Sequence, residues 1–88
     1  MNKLSINNCR ICGLYMLDAP WGLDGVNPTY EICPCCGVEF GNEDYTLESI
    51  KEYRKNWLNN NVEWFEPKEK TNDWDLEMQL KNIPIEFI

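Results

Sequence analysis

The sequence predicts a small α+β domain held together by a metal ion, with β-hairpins in its first half and two short helices packed on them. Three observations favour this class. Two C-x-x-C-G stretches occupy residues 9–13 and 33–37, short alternating apolar segments flank both, and helical periodicity begins only after residue 45. We therefore expect residues 1–45 to form the metal-binding part, and residues 46–88 the helical part, of one compact domain.

The cysteines have the number and spacing of a closed tetrahedral metal site. In each stretch two cysteines lie three positions apart, and the gap between the two pairs is typical of zinc sites. A glycine follows each pair, where a positive φ lets the chain reverse. We predict Zn²⁺ as the bound ion, iron as the alternative metal, and four thiolate ligands: Cys9, Cys12, Cys33 and Cys36. Hairpins closed on such turns are the architecture of zinc ribbons and rubredoxin-like sites.

Two other interpretations of the cysteines are weaker. Disulfides need an oxidising compartment, and an odd count of five cysteines fits a disulfide framework poorly. The second alternative is a set of small buried thiols without a metal. Cys35 is surplus to the four predicted ligands. We interpret it as a small side chain that faces the core, the alternative being a reactive thiol activated by the neighbouring metal.

Charge limits the partners that the 88-residue chain can have. Fifteen acidic and eight basic residues give a net charge of −7, which repels phosphate backbones and suits a protein partner with a basic surface. Residues 1–8 lack the apolar core of a secretory signal, and no stretch has the length of a membrane span. We therefore predict a cytoplasmic protein, monomeric or weakly dimeric, with no nucleic-acid or membrane partner.

Short strands are predicted around both cysteine stretches. Alternating apolar residues indicate strands at residues 14–17, 29–32 and 38–40, and Leu4 with Ile6 indicates an edge strand. Glycines and prolines make residues 18–28 a loop, in which Trp21 forms either a lid on the core or part of a binding surface. The acidic group at Glu39, Glu43 and Asp44 is either a helix N-terminal feature, which we favour, or a second cation site.

The second half predicts two helices and an apolar tail. The first helix spans Leu47–Asn59 with Thr46 as its N-cap and Arg54 on its solvated face. The second spans residues 73–81, capped by residue 71 or 72. Four aromatic side chains are expected to be buried together: Trp57, Trp64, Phe65 and Trp74. The apolar residues 85–88 should dock on the domain or on a second subunit.

Catalytic motifs are missing from the sequence. It contains no histidine, which excludes Ser-His and Cys-His catalysis and a histidine-ligated zinc. It also contains neither of the glycine-rich phosphate-binding patterns, G-x-x-x-x-G-K-[ST] and G-x-G-x-x-G. Four cysteine ligands would leave no open position on a zinc ion. We predict that the chain is not an enzyme.

Several segments together resemble a family of small bacterial cysteine-rich "CPCC" proteins. They are Y-E-I-C-P-C-C-G-V-E-F-G at residues 30–41, Y-R-K-N-W at 53–57, W-F at 64–65 and W-D-L-E-M-Q-L-K-N-I at 74–83. The resemblance implies a small cytosolic zinc-binding protein of uncharacterised function. Arg10 departs from the pattern, in which proline usually follows the first cysteine. The cysteine stretches are also similar to those of rubredoxin, in which the gap between the pairs is longer.

Two classes of function follow from these features. The first is a protein-interaction module in which zinc is structural, and neutralisation of a basic toxin by an immunity-type protein is one version of it. Its recognition surface would comprise Trp21, the acidic residues between positions 39 and 44, and the surface of the first helix. The alternative is a redox protein, either a rubredoxin-like electron carrier with iron or a thiol switch at Cys35.

Overall fold

Two helices and two tight cysteine turns make up the fold in the computed structural model, which describes residues 6–88. Helix α1 spans Leu47–Asn59 and helix α2 spans Leu76–Leu80. Two single-turn 3₁₀ helices, Pro67–Glu69 and Ile85–Phe87, follow α1 and α2 respectively. Neither α-helix of the described chain has both the length and the apolar character that a bilayer crossing requires.

The predicted β-hairpins are wrong, and with them the zinc-ribbon or rubredoxin-like fold class. Within residues 6–88 no strand forms, and pairing is limited to two isolated antiparallel bridges, Asn8 with Tyr15 and Ile32 with Glu39. Each bridge closes one cysteine turn without extending beyond it. Leu4, part of the predicted edge strand, lies outside the described residues.

Left-handed backbone conformations explain why the second bridge does not grow into a hairpin. Tyr30 has a φ of 63°, which is incompatible with a strand. Gly41 has a φ of 100°, and a Cβ at that position would lie 2.7 Å from Pro28 and 2.8 Å from Tyr30. The chain therefore leaves the extended conformation on both sides of the bridge, although the alternation of apolar residues favours strands there.

The prediction of α1 is confirmed. Thr46 caps it, because its side chain accepts the Ser49 N–H at 3.1 Å while the Ser49 hydroxyl accepts the Thr46 N–H at 3.4 Å. This reciprocal capping box satisfies two of the N–H groups that a helix start leaves without partners. The apolar stripe directs Ile50 and Trp57 into the core, and the helix ends at the C-cap Asn60.

Helix α2 is shorter than predicted. It begins at Leu76 instead of residue 73, and its N-cap is Asp75, whose carboxylate accepts a backbone N–H of the first turn at 3.2 Å. The two predicted caps are wrong because the Trp74 N–H donates to the Thr71 carbonyl at 3.3 Å, which makes a separate turn ahead of the helix. Asp75 itself has extended backbone angles, as an N-cap requires.

The cysteines are the centre of the core, and the aromatic residues surround them unevenly. Ten buried residues form one cluster: all five cysteines, Ile11, Val38, Phe40, Ile50 and Trp57. Trp64 and Trp74 are half-buried and meet edge to face, with ring centroids 5.5 Å apart. Phe65 is 58% exposed, so the prediction that the four aromatics are buried together is wrong for this residue.

The burial of the loop residue Trp21 fits the first of its two predicted roles, a lid on the core. The Trp21 Nε1 donates to Asp44 Oδ2 at 2.8 Å, while the Gly41 N–H donates to Asp44 Oδ1 at 2.7 Å. Asp44 is fully buried and therefore does not form an acidic surface with Glu39 and Glu43. The Arg10 guanidinium lies 4.0 Å from the Trp21 ring and 4.3 Å from the Phe87 ring, which are cation–π distances.

The C-terminal tail docks on its own chain through part of its length. Ile83 and Pro84 are buried, and Phe87 packs against the core cluster. Ile85 and Ile88 remain exposed, at 82% and 60%. One aromatic side chain and the buried residues that precede it thus attach the tail to the domain.

Candidate metal centre

Both cysteine stretches fold into the same closed turn. The Gly13 N–H donates to the Cys9 carbonyl at 3.0 Å, and the Gly37 N–H donates to the Cys33 carbonyl at 2.9 Å. Each glycine has a positive φ, 86° and 82° respectively, which explains its place after the second cysteine. The N–H of the first cysteine in each turn also donates to the carbonyl of the residue that follows the glycine, at 2.9 Å in both turns.

The two turns bring the four predicted ligands together. The Sγ atoms of Cys9, Cys12, Cys33 and Cys36 all lie within 4.8 Å of one another, and all four residues are buried. Two Sγ–Sγ distances, Cys9 to Cys36 and Cys12 to Cys33, are 3.7 Å. Sulfurs placed about 2.3 Å from a central ion at tetrahedral angles are about 3.8 Å apart, whereas a disulfide needs about 2.05 Å. The group could therefore hold a metal ion.

Burial and mutual hydrogen bonds shift the pKa of three of the four thiols. Burial raises the pKa of Cys12 and of Cys36 well above the ordinary value for a thiol. The pKa of Cys33 is strongly lowered, chiefly because the Cys12 thiol donates a hydrogen bond to it. Burial alone thus opposes the ionisation of Cys12 and Cys36. A divalent ion supplies the positive charge that lets all four ionise.

Cys35 lies outside this group of four. It is fully buried, and its Sγ accepts the Gln79 side-chain amide at 3.4 Å. The same Gln79 Nε2 donates to the Cys12 carbonyl at 3.1 Å, while Gln79 Oε1 accepts the Trp74 Nε1–H at 2.7 Å. Gln79 therefore links α2 to both cysteine turns. Sequence reasoning missed this residue, because a glutamine on a short amphipathic helix carries no signal of burial.

Comparisons with known proteins give two relatives and no fold. Two proteins of Bacillus subtilis (strain 168) are similar to the chain over 90 residues each: "Uncharacterized protein YozI" at 31% identity and "Uncharacterized protein YoaQ" at 30%. The matches cover 84% and 85% of this chain, and 69% and 71% of those proteins. The chain belongs to their family. No protein-family model and no solved structure matches it.

In this member of the YozI and YoaQ family, α1 fixes both cysteine turns through neighbouring side chains. The Tyr53 hydroxyl donates to the Cys36 carbonyl at 3.1 Å, and burial raises the pKa of Tyr53 to about 12. Arg54 Nε donates to the Ile11 carbonyl at 2.7 Å, and its Nη2 donates to the carbonyls of Arg10 and Phe87. The placement of Arg54 on the solvated face is wrong.

The Arg54 guanidinium is expected to contribute substantially to the stability of this family member. Arg54→Ala should lower the free energy of unfolding by about 3 kcal/mol, because it leaves three part-buried carbonyl groups without a donor. Arg54→Lys should recover less than half of the loss, since an ammonium cannot match the planar fork. Urea unfolding of the metal-loaded protein measures both, with Lys55→Ala on the exposed face as the matched control. Similar losses for Arg54→Ala and Lys55→Ala would contradict this role.

Proposed function

We propose that the chain is a small zinc-binding protein in which Cys9, Cys12, Cys33 and Cys36 hold a structural ion, and whose surface binds another protein. The tetrahedral spacing of these four buried sulfurs is the observation that supports the metal. Four thiolates suit Zn²⁺, and four protein ligands leave no open position for a substrate. A structural and non-catalytic role follows, in keeping with the CPCC proteins that the sequence resembles.

The hydrogen bonds around the site support a structural role for the ion. Tyr53 and Arg54 on α1 and Gln79 on α2 all donate to backbone carbonyls of the two cysteine turns. An ion that fixes the turns would thereby fix the surfaces on which both helices dock. Bound zinc would polarise no substrate here and would contribute binding free energy to folding.

Iron is the second candidate, because a tetrahedral site of four thiolates suits both metals. Metal analysis of protein purified anaerobically, together with its visible absorption spectrum, distinguishes them. We expect one equivalent of zinc per chain, no visible absorption and no reversible redox response. One equivalent of iron with visible absorption would instead support rubredoxin-like electron transfer.

The proposed partner is a protein with a basic surface, in a reducing cytoplasmic setting where thiols stay available for the metal. The net charge of −7 favours such a partner and disfavours nucleic acid. A basic toxin would be one partner of this kind. Trp21 and Asp44 are buried, so these two residues drop out of the predicted recognition surface, whereas Glu43 and the solvated face of α1 are exposed.

A further inference from the structure

A surface groove lies on the side of the molecule where the first cysteine turn leads into residues 14–18. Its volume is about 320 Å³. Residues 14–18 line one part of it, and Glu31, Pro34, Trp64 and Glu69 line the rest. None of these residues is a predicted metal ligand, so the groove is separate from the candidate metal site.

The groove combines aromatic walls with negative charge. Tyr15 and Trp64 both line the groove, and Tyr15 is 62% exposed. Three exposed carboxylates, those of Asp18, Glu31 and Glu69, also line the groove, and no lysine or arginine among residues 6–88 does. Rings flanked by carboxylates attract the ammonium of a lysine or the guanidinium of an arginine through both Coulombic and cation–π interactions.

The backbone of Tyr15 adds a second feature of a peptide site. Around its bridge with Asn8, hydrogen bonds run from the Cys9 N–H to the Leu14 carbonyl and from the Met16 N–H to the Asn7 carbonyl, at 2.9 and 2.8 Å. In this antiparallel pattern the N–H and C=O of Tyr15 point to the opposite edge. Among residues 6–88 neither group has a hydrogen-bond partner. An extended segment could therefore pair with this edge.

We propose that this groove binds an extended peptide segment bearing lysine or arginine, which belongs to a partner protein and adds as a strand to the Tyr15 edge. Strand addition supplies backbone hydrogen bonds, and pockets for alternate side chains supply specificity. Leu17, two residues after Tyr15, is 88% exposed and offers apolar contact to the peptide side chains that lie between the basic ones. The proposal rests on the proposed function as an interaction module, and it names the partner's chemistry.

Charge complementarity selects this occupant over a second copy of the chain. A copy carries the same net charge of −7 and would bring further carboxylates to a groove that already has three. Anionic lipids and nucleic acids are disfavoured for the same reason. The positive charges of a basic segment attract the three carboxylates, and its backbone supplies hydrogen-bond donors and acceptors to Tyr15.

Fluorescence anisotropy with three labelled octapeptides and the zinc-loaded full chain tests the proposal. The first peptide alternates lysine and valine, the second alternates glutamate and valine, and the third is the lysine peptide with its alternate backbone nitrogens methylated. We expect the first peptide to bind and the second not to bind. The third should bind at least tenfold more weakly than the first, because methylation removes the backbone N–H groups that pair with the Tyr15 edge. Equal binding of the first and second peptides would overturn the proposal.

Charge-reversal variants locate the binding. Glu31→Lys should weaken binding of the lysine peptide at least tenfold, whereas Glu52→Lys should leave it unchanged within twofold. Both residues are exposed and both substitutions change the net charge equally, but Glu52 lies on α1 outside the groove. Equal weakening by the two variants would show non-specific attraction and overturn the proposal.

Amide hydrogen exchange gives a readout that does not depend on charge. The Tyr15 N–H should exchange rapidly in the free protein and slowly when the lysine peptide is bound. A Tyr15 N–H that is protected in the free protein would mean that this chain or a second copy already covers the edge, which overturns the proposal.

Zinc content, measured on the same samples, separates this proposal from the proposed function. Zinc-loaded protein that does not bind the lysine peptide overturns the groove and leaves the zinc site intact. Folded protein that lacks zinc but binds the lysine peptide at Glu31 overturns the structural zinc and supports the groove.

Discussion

Cys12→Ser should abolish stoichiometric zinc binding and leave the chain without a cooperative thermal unfolding transition. Cys12 contributes one of the four buried sulfurs, and three remaining thiolates cannot close the tetrahedron. Structural zinc contributes on the order of 10 kcal/mol to the folding of small domains. A total stability of about 5–15 kcal/mol is typical of a folded domain, so the loss removes most or all of it. Metal analysis and calorimetry measure the two effects.

Cys35→Ala is the matched control for this substitution. Cys35 is as fully buried as Cys12 and lies in the second cysteine turn, but it is outside the group of four. The control should keep one equivalent of zinc and a cooperative transition, with a loss of about 1 kcal/mol from the amide contact of Gln79. Removal of the metal from the native chain by a chelator should reproduce the Cys12→Ser result. A metal-free chain that still unfolds cooperatively would contradict a structural ion.

Gly13→Ala should lower the free energy of unfolding by about 3 kcal/mol or more. Gly13 has a φ of 86°, which strains any residue with a side chain, and an added Cβ would overlap the Gln79 carbonyl oxygen and lie 3.2 Å from the Ile83 nitrogen. These are backbone atoms, so α2 and the residues after it would have to move away from the first cysteine turn. Urea unfolding of the zinc-loaded protein measures the loss.

Gly25→Ala separates backbone strain from the steric overlap. Gly25 has a similar φ of 78°, but an added Cβ there would meet no atom within 4 Å. The control should therefore lose only about 1 kcal/mol, the cost of a left-handed residue. Equal losses at both positions would mean that α2 does not pack on Gly13 as tightly as the structure shows.

Local features of the chain were predictable from its sequence. Thr46 caps α1 because its side-chain oxygen accepts the N–H of the residue three positions later. This contact is local and needs no distant part of the chain. The two cysteine turns followed from C-x-x-C-G, because the glycine and both cysteines interact within five residues. The sequence also predicted which four sulfurs meet, although their role as ligands stays a prediction, as does the division of the chain at residues 45 and 46.

Tertiary contacts decided the rest. Alternating apolar residues favour strands, but Tyr30 takes a left-handed conformation where the chain packs on Gly41, and the hairpin does not form. Arg54 and Gln79 look like surface residues in the sequence, yet they donate to carbonyls 43 and 67 positions away. Periodicity records which side chains are apolar. It does not record which distant carbonyl groups need a donor, and such acceptors determine where Arg54 and Gln79 lie.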